Sequence, residues 1–123
     1  MEGKEWLLDK KIKFNLDGFR HHGKVIGHPL SLADLIKNDL KRVIPNKEGV
    51  YYLFNKGELV YIGISNNIRK RLFQHYKEKL KDFDNVLWFC SDRFKNDRNK
   101  LIKLEKNLIK YYKPIYNIHH SNN

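Results

Sequence analysis

The stretch Gly49-Val50-Tyr51-Tyr52-Leu53-Phe54-Asn55-Lys56-Gly57-Glu58-Leu59-Val60-Tyr61-Ile62-Gly63 reads as one β-hairpin. Both arms are rich in β-branched and aromatic residues, and turn formers separate them. Asn55-Lys56-Gly57 predicts a three-residue loop, with Gly57 in the left-handed position of a bulge. In that register Phe54 faces Glu58, and Tyr51 faces Tyr61 directly on one side of the ribbon. Two adjacent phenols are an uncommon choice for packing alone. They direct attention to the polar residues downstream.

Working outward, Ser31 to Asp34 has the form of a capping box. Leu32, Leu35, Ile36, Leu40 and Val43 then recur at helical spacing, and Pro45 ends that helix. After the hairpin, Asn66-Asn67 caps a second helix running to about Leu80, with Ile68, Leu72, Tyr76 and Leu80 as its apolar stripe. Asn85 to Ser91 is a third strand. A third helix runs from about Asp97 to Tyr112, and Pro114 stops it. The tail from Tyr116 is polar. Nearer the N-terminus, Ile12, Phe14 and Leu16 alternate like a short strand. The sum is an α+β domain: a small antiparallel sheet with helices packed on it. Residues 1–30 form an N-terminal extension, a DNA- or partner-contacting arm, and 31–123 form the domain with its lead-in helix.

The 123 residues carry a net charge of +11, the electrostatic signature of a polyanion binder. With 41% hydrophobic residues the chain builds one core, and its length suits one domain. No long apolar run or lipidation signal supports a membrane partner. Met1 to Trp6 lacks the apolar core of a secretory signal. The single cysteine, Cys90, excludes an intramolecular disulfide and a thiolate-rich zinc site; it reads as a buried residue in a reducing, cytoplasmic compartment. His21, His22 and His28 match no metal-ligand spacing and read as a polar loop or nucleic-acid-contacting arm.

The third helix presents Leu101, Leu104, Leu108, Ile109 and Tyr112 as one stripe. Glu105 falls near its middle, roughly 40° from Leu101 and 60° from Leu108. A carboxylate on a buried face must be paired or bind a metal, and both readings stand. One carboxylate plus water suits magnesium. On the second helix Arg71 and His75, at i and i+4, share a flank well placed to hold a phosphate. Arg69, Lys70, Lys77 and Lys79 read as solvated. Asn117 can fold back to hydrogen-bond a strand or hold the site together.

These motifs together resemble the GIY-YIG nuclease domain. They are Gly49-Val50-Tyr51, Tyr61-Ile62-Gly63, Asn67-Ile68-Arg69-Lys70-Arg71-Leu72 with His75, and Leu104-Glu105-Lys106-Asn107-Leu108-Ile109 with Pro114-Ile115-Tyr116-Asn117. The resemblance covers residues 46–117. It implies a three-stranded antiparallel sheet flanked by helices and a single-metal phosphodiesterase site acting on DNA. It also implies catalytic roles for Tyr51, Tyr61, Arg71, His75, Glu105 and Asn117, with Glu105 holding Mg²⁺ or Mn²⁺. One departure is Ile64, where the family often carries a lysine or another polar residue.

The implied chemistry is hydrolysis of a phosphodiester. Tyr51 is assigned the base and Tyr61 the support, with the reverse order open. A free phenol is only about 0.1% ionised at pH 7, so the site must favour its ionisation. His75 positions the phosphate or water, or exchanges a proton itself. One site cuts one strand, so a double-strand break requires a homodimer, two nicks or a protein partner. Lysines 77, 79, 81, 95, 100, 103, 106 and 110 would hold DNA backbone without reading sequence. Two alternatives stand beside this. One is a nuclease subunit active only with a partner, for which Trp6, Phe14 and Phe19 are the residues to check. The other is a binding module that has kept the fold, whose mark would be loss of Glu105, Arg71 or a tyrosine.

Overall fold

In the computed structural model, residues 29–90 and 97–117 are described, together with the backbone of 20–21 and 24–25. The expected strand at Ile12 to Leu16, Trp6, Phe19, His22, His28 and the His21 side chain lie outside the described residues. The elements run β1 (Arg20–His21), β2 (Lys24–Val25), β3 (Leu30–Ser31), α1 (Leu32–Lys37), a 3₁₀ turn (Lys41–Val43), β4 (Gly49–Asn55), β5 (Glu58–Ser65), α2 (Ile68–Glu78), β6 (Asn85–Cys90) and α3 (Arg98–Tyr112). β1 and β2 pair as a short ribbon. The others form an antiparallel sheet in the order β3-β6-β4-β5.

The sheet therefore has four strands where three were expected. The extra one is two residues long, with Leu30 opposite Val86 and Ser31 opposite Asn85. Two residues show no alternation, so no periodic signal announces such a strand. Ser31 also caps α1, its hydroxyl accepting the Asp34 N–H at 3.1 Å. That helix stops at Lys37, well before Pro45. Asn38 closes it and Asp39 turns to a left-handed φ of 56°. Asn and Asp accept that conformation more readily than other non-glycine residues, which is why the apolar spacing through Leu40 and Val43 does not stay helical.

The hairpin differs from its expected register. Asn55 pairs with Glu58 across a two-residue turn, and Lys56 and Gly57 both take positive φ, 51° and 84°. Positive φ at both central positions is the type I′ pattern that suits strand twist. Phe54 then pairs with Leu59, but Leu53 pairs with Tyr61. Val60 is the extra residue of a bulge. Tyr51 lies opposite Gly63, so the two tyrosines are diagonal neighbours on one face instead of a directly opposed pair. Without the bulge, Tyr61 would point to the other face.

Each face of the sheet has its own core. On one, Tyr51, Leu53, Val60, Val86 and Trp88 pack with Leu32 and Leu35 of α1, Ile44, and Ile68 and Leu72 of α2. On the other, Val50, Tyr52, Phe54, Ile62 and Leu87 pack with Leu101, Leu104 and Leu108 of α3. Cys90 is half-buried at the margin of the first core instead of fully enclosed. The buried face of α2 is Ile68, Leu72 and His75, an i, i+4, i+7 set. Tyr76 is 39% exposed and Leu80 76% exposed, so the stripe does not continue through them. The helix ends at Glu78, because Lys79 turns to φ 54° as its cap.

Candidate active site

Tyr51, Tyr61 and His75 form a triangle of rings. Their centroids are 6.1 Å apart for the two tyrosines, 5.4 Å for Tyr51 and His75, and 5.5 Å for Tyr61 and His75. Tyr51 comes from β4, Tyr61 from β5, and His75 from the sheet-facing side of α2. Gly63 makes room for this arrangement. A Cβ there would collide with Cζ and the hydroxyl of Tyr51, so the phenol lies across a position that only glycine leaves open.

The Tyr51 hydroxyl is 2.8 Å from His75 Nε2, and both residues are buried, at 1% and 2% exposure. Burial and the charge of Arg71 hold the His75 pKa down to about 4, so the ring is neutral at pH 7. In the tautomer with Nε2 unprotonated, the neutral ring accepts a hydrogen bond from the Tyr51 hydroxyl, which keeps its proton. That leaves the Tyr51 oxygen to receive other donors. Burial pushes Tyr51 far above the usual phenol range, with Tyr61 adding to the rise and the Arg71 guanidinium opposing it. Tyr61 is half-buried. Burial, followed by the Glu105 carboxylate, raises its pKa, and Arg71 again opposes.

Glu105 projects from α3, on the far layer of the domain, yet its charge reaches Tyr61. The two layers meet at β5, the edge strand, and α3 packs chiefly on that strand. Glu105 sits half-buried at the margin of the leucine stripe. Burial raises its pKa, and Arg98 and Lys106 pull it back. A partly desolvated carboxylate whose ionised form gains from added positive charge fits a divalent cation completed by water and phosphate oxygens.

Asn117 does not face the cluster. Its Oδ1 accepts the Ile62 N–H at 2.8 Å, and its Nδ2 donates to the Ile62 carbonyl at 2.9 Å. One side chain thus satisfies both backbone groups that the edge strand would leave unpaired, between Tyr61 and Gly63. Those two bonds fix the Ile62 backbone. Arg69, expected to be solvated, donates from Nε to the Ile44 carbonyl at 2.8 Å and ties α2 to the segment before the hairpin. Ile64 packs against the second core.

A residue that sequence reasoning left among undifferentiated lysines is Lys81. Its Nζ stands 4.7 Å from the centre of the Tyr61 ring. The side chain is half-buried, and burial and Arg71 lower its pKa. Only the path of the chain after α2 brings it there, and no spacing rule announces that path.

An edge strand that carries one motif tyrosine, with the other on the neighbouring strand and a carboxylate arriving from the opposite layer, defines a recognisable class. The chain belongs to the GIY-YIG catalytic domain family, whose model matches residues 47–117, more than half of the chain. Similar proteins include UvrABC system protein C of Aquifex aeolicus, 40% identical over 86 residues, and that of Fervidobacterium nodosum, 42% identical over 82 residues. These alignments cover 62% and 60% of this chain but only 14% of each relative. Among solved structures, the N-terminal endonuclease domain of UvrC from Thermotoga maritima, bound to magnesium as its catalytic divalent cation, superposes with a TM-score of 0.50 and 26% identity. That match covers 64% of this chain and 92% of that one.

Proposed function

We propose that this chain is a divalent-metal-dependent DNA endonuclease that hydrolyses a phosphodiester at the β5 edge. The observation that carries the reading is the convergence of Tyr51, Tyr61, Arg71 and His75 on one face, with Glu105 close enough to perturb Tyr61. Glu105 would hold the cation, Mg²⁺ or Mn²⁺, which when bound supplies charge neutralisation for the phosphate.

The chain's own residues supply the remainder. Arg71 neutralises charge that develops on the phosphate oxygens. Tyr61, the more exposed phenol and the less opposed to ionising, takes the proton from water. Tyr51, locked to His75 and enclosed by the core, supports it. This reverses the order assigned from the sequence, and exposure is what favours the reversal. Through Tyr51, His75 receives a hydrogen bond and fixes the direction of the chain of hydroxyls. Asn117 keeps the Tyr61-Ile62-Gly63 backbone in place.

DNA is the expected partner, in keeping with the charge of +11, and the cytoplasm the expected compartment. Among the described residues no helix is long and apolar enough to cross a membrane. Double-strand cleavage requires a second copy, two successive nicks or a protein partner, as a single site handles one strand. The test is plasmid cleavage by wild-type and Glu105→Ala protein with Mg²⁺, Mn²⁺ or EDTA. Metal-dependent nicking should fall at least about 10³-fold in the mutant while DNA binding persists. Full activity in the mutant removes Glu105 from the metal role.

A further inference from the structure

Beside the aromatic cluster lies a groove of about 260 Å³, lined by His75, Tyr76, Lys79, Lys81, Asp82 and Phe83. It shares His75 with the cluster but is not lined by Tyr51, Tyr61 or Arg71. We propose that this groove is a second phosphate subsite, in which Lys81 holds the phosphodiester adjacent to the one that is cut. The assignment rests on the nuclease reading above.

Three observations carry it. Lys81 is held in place: its ammonium lies over the Tyr61 ring at 4.7 Å, a contact that orients an otherwise flexible side chain. It also has no salt-bridge partner among the described residues, and the through-space pull of Glu78 is outweighed by burial and Arg71. The salt bridge found among the described residues, Lys100 with Asp97, is on α3. Glu78, the nearby acid of α2, instead receives a hydrogen bond from Gln74. Two cations, Arg71 and Lys81, thus converge on one half-buried region, and burial together with Arg71 disfavours the Lys81 charge, an arrangement that an anion relieves. Third, the groove opens to solvent past Lys79 and the half-exposed Tyr76, giving a backbone a way out of the cluster with a positive rim and an apolar wall. Asp82, the acidic residue of the lining, is itself exposed.

Arg71 and Lys81 therefore divide the work, Arg71 at the scissile phosphate and Lys81 at its neighbour. Lys81 is a substrate-holding residue. Its loss should raise KM more than it lowers kcat, and Lys81→Arg should restore most of the loss.

The experiment is a coupling scan. The cut made by the wild-type protein is mapped on a defined oligonucleotide. Single uncharged methylphosphonates are then placed at each of the nearest phosphates, and binding is measured in Ca²⁺ for wild-type, Lys81→Gln and Lys81→Arg proteins. One phosphate next to the cut should weaken wild-type binding about fivefold when neutralised and leave Lys81→Gln binding unchanged. Coupling at the scissile phosphate itself, or at none, overturns the assignment. A wild-type protein that binds DNA but cuts nothing overturns the nuclease reading first, and this inference with it.

Discussion

Tyr51 and Tyr52 are neighbours in sequence, equally buried, and point to opposite faces of the same sheet. Tyr52 stands among Val50, Phe54, Ile62 and the leucines of α3, and burial together with Tyr112 opposes its ionisation. Tyr51 stands against His75, with Arg71 beside its hydroxyl. Residue type and depth are the same; the company differs. The α3 face is a closed apolar layer that holds the sheet in shape. The α2 face has given up part of its core to polar groups, and a buried polar group costs stability unless it is hydrogen-bonded. Burial therefore does not distinguish the phenol of the candidate site from the packing one; the partners do.

The sharpest way to break that contrast is to remove each hydroxyl in turn. Tyr51→Phe should lower the cleavage rate by about 10²-fold or more, whereas Tyr52→Phe should leave it within about twofold. Both should stay folded by circular dichroism. Equal losses would mean that the two faces are not functionally distinct. Next in size is a truncation on the α3 face. Leu101→Ala should destabilise the domain by about 2–5 kcal/mol in urea unfolding while the rate per folded molecule is unchanged. A rate loss without destabilisation would place part of the site on that face.

The smallest expected effect is a pH dependence that belongs to the α2 face. The unfolded chain takes up a proton at His75 near the ordinary value of 6.5, and the folded chain only near about 4. Protons in that interval favour the unfolded state. The His75 contribution is therefore fully present above pH 6.5 and is lost as pH falls toward 4. Urea unfolding between pH 4 and 7 should show this slope in the wild-type protein, and His75→Phe should flatten it. An unchanged slope in the mutant would assign the dependence elsewhere.

Much of this layout is legible in the chain. The i, i+4 relation of Arg71 and His75 and the position of Glu105 on a leucine stripe are consequences of helical period. The hairpin arms announce themselves by composition. Other features are set by contacts that spacing does not encode. The register depends on whether Lys56 joins Gly57 in left-handed backbone and on where the strand bulges, and neither choice has a sequence mark in this turn. Lys81 reaches Tyr61 because of how the chain leaves α2. The double hydrogen bond of Asn117 to Ile62 depends on which strand is at the edge, a property of the whole sheet.

The bulge at Val60 also governs how this hairpin can change length. Deleting Val60 would remove the bulge and leave Tyr61 opposite Leu53. Side chains alternate between faces, so adding one residue between Gly57 and Tyr61 without a second bulge would instead exchange the occupants of the two layers downstream. Tyr61 would enter the leucine layer, and Ile62 would be delivered to the polar cluster. Removing or adding two residues keeps the faces assigned and alters only the reach of the loop. Insertions at this tip are therefore admissible in even numbers, or in odd numbers only when a bulge is gained or lost with them.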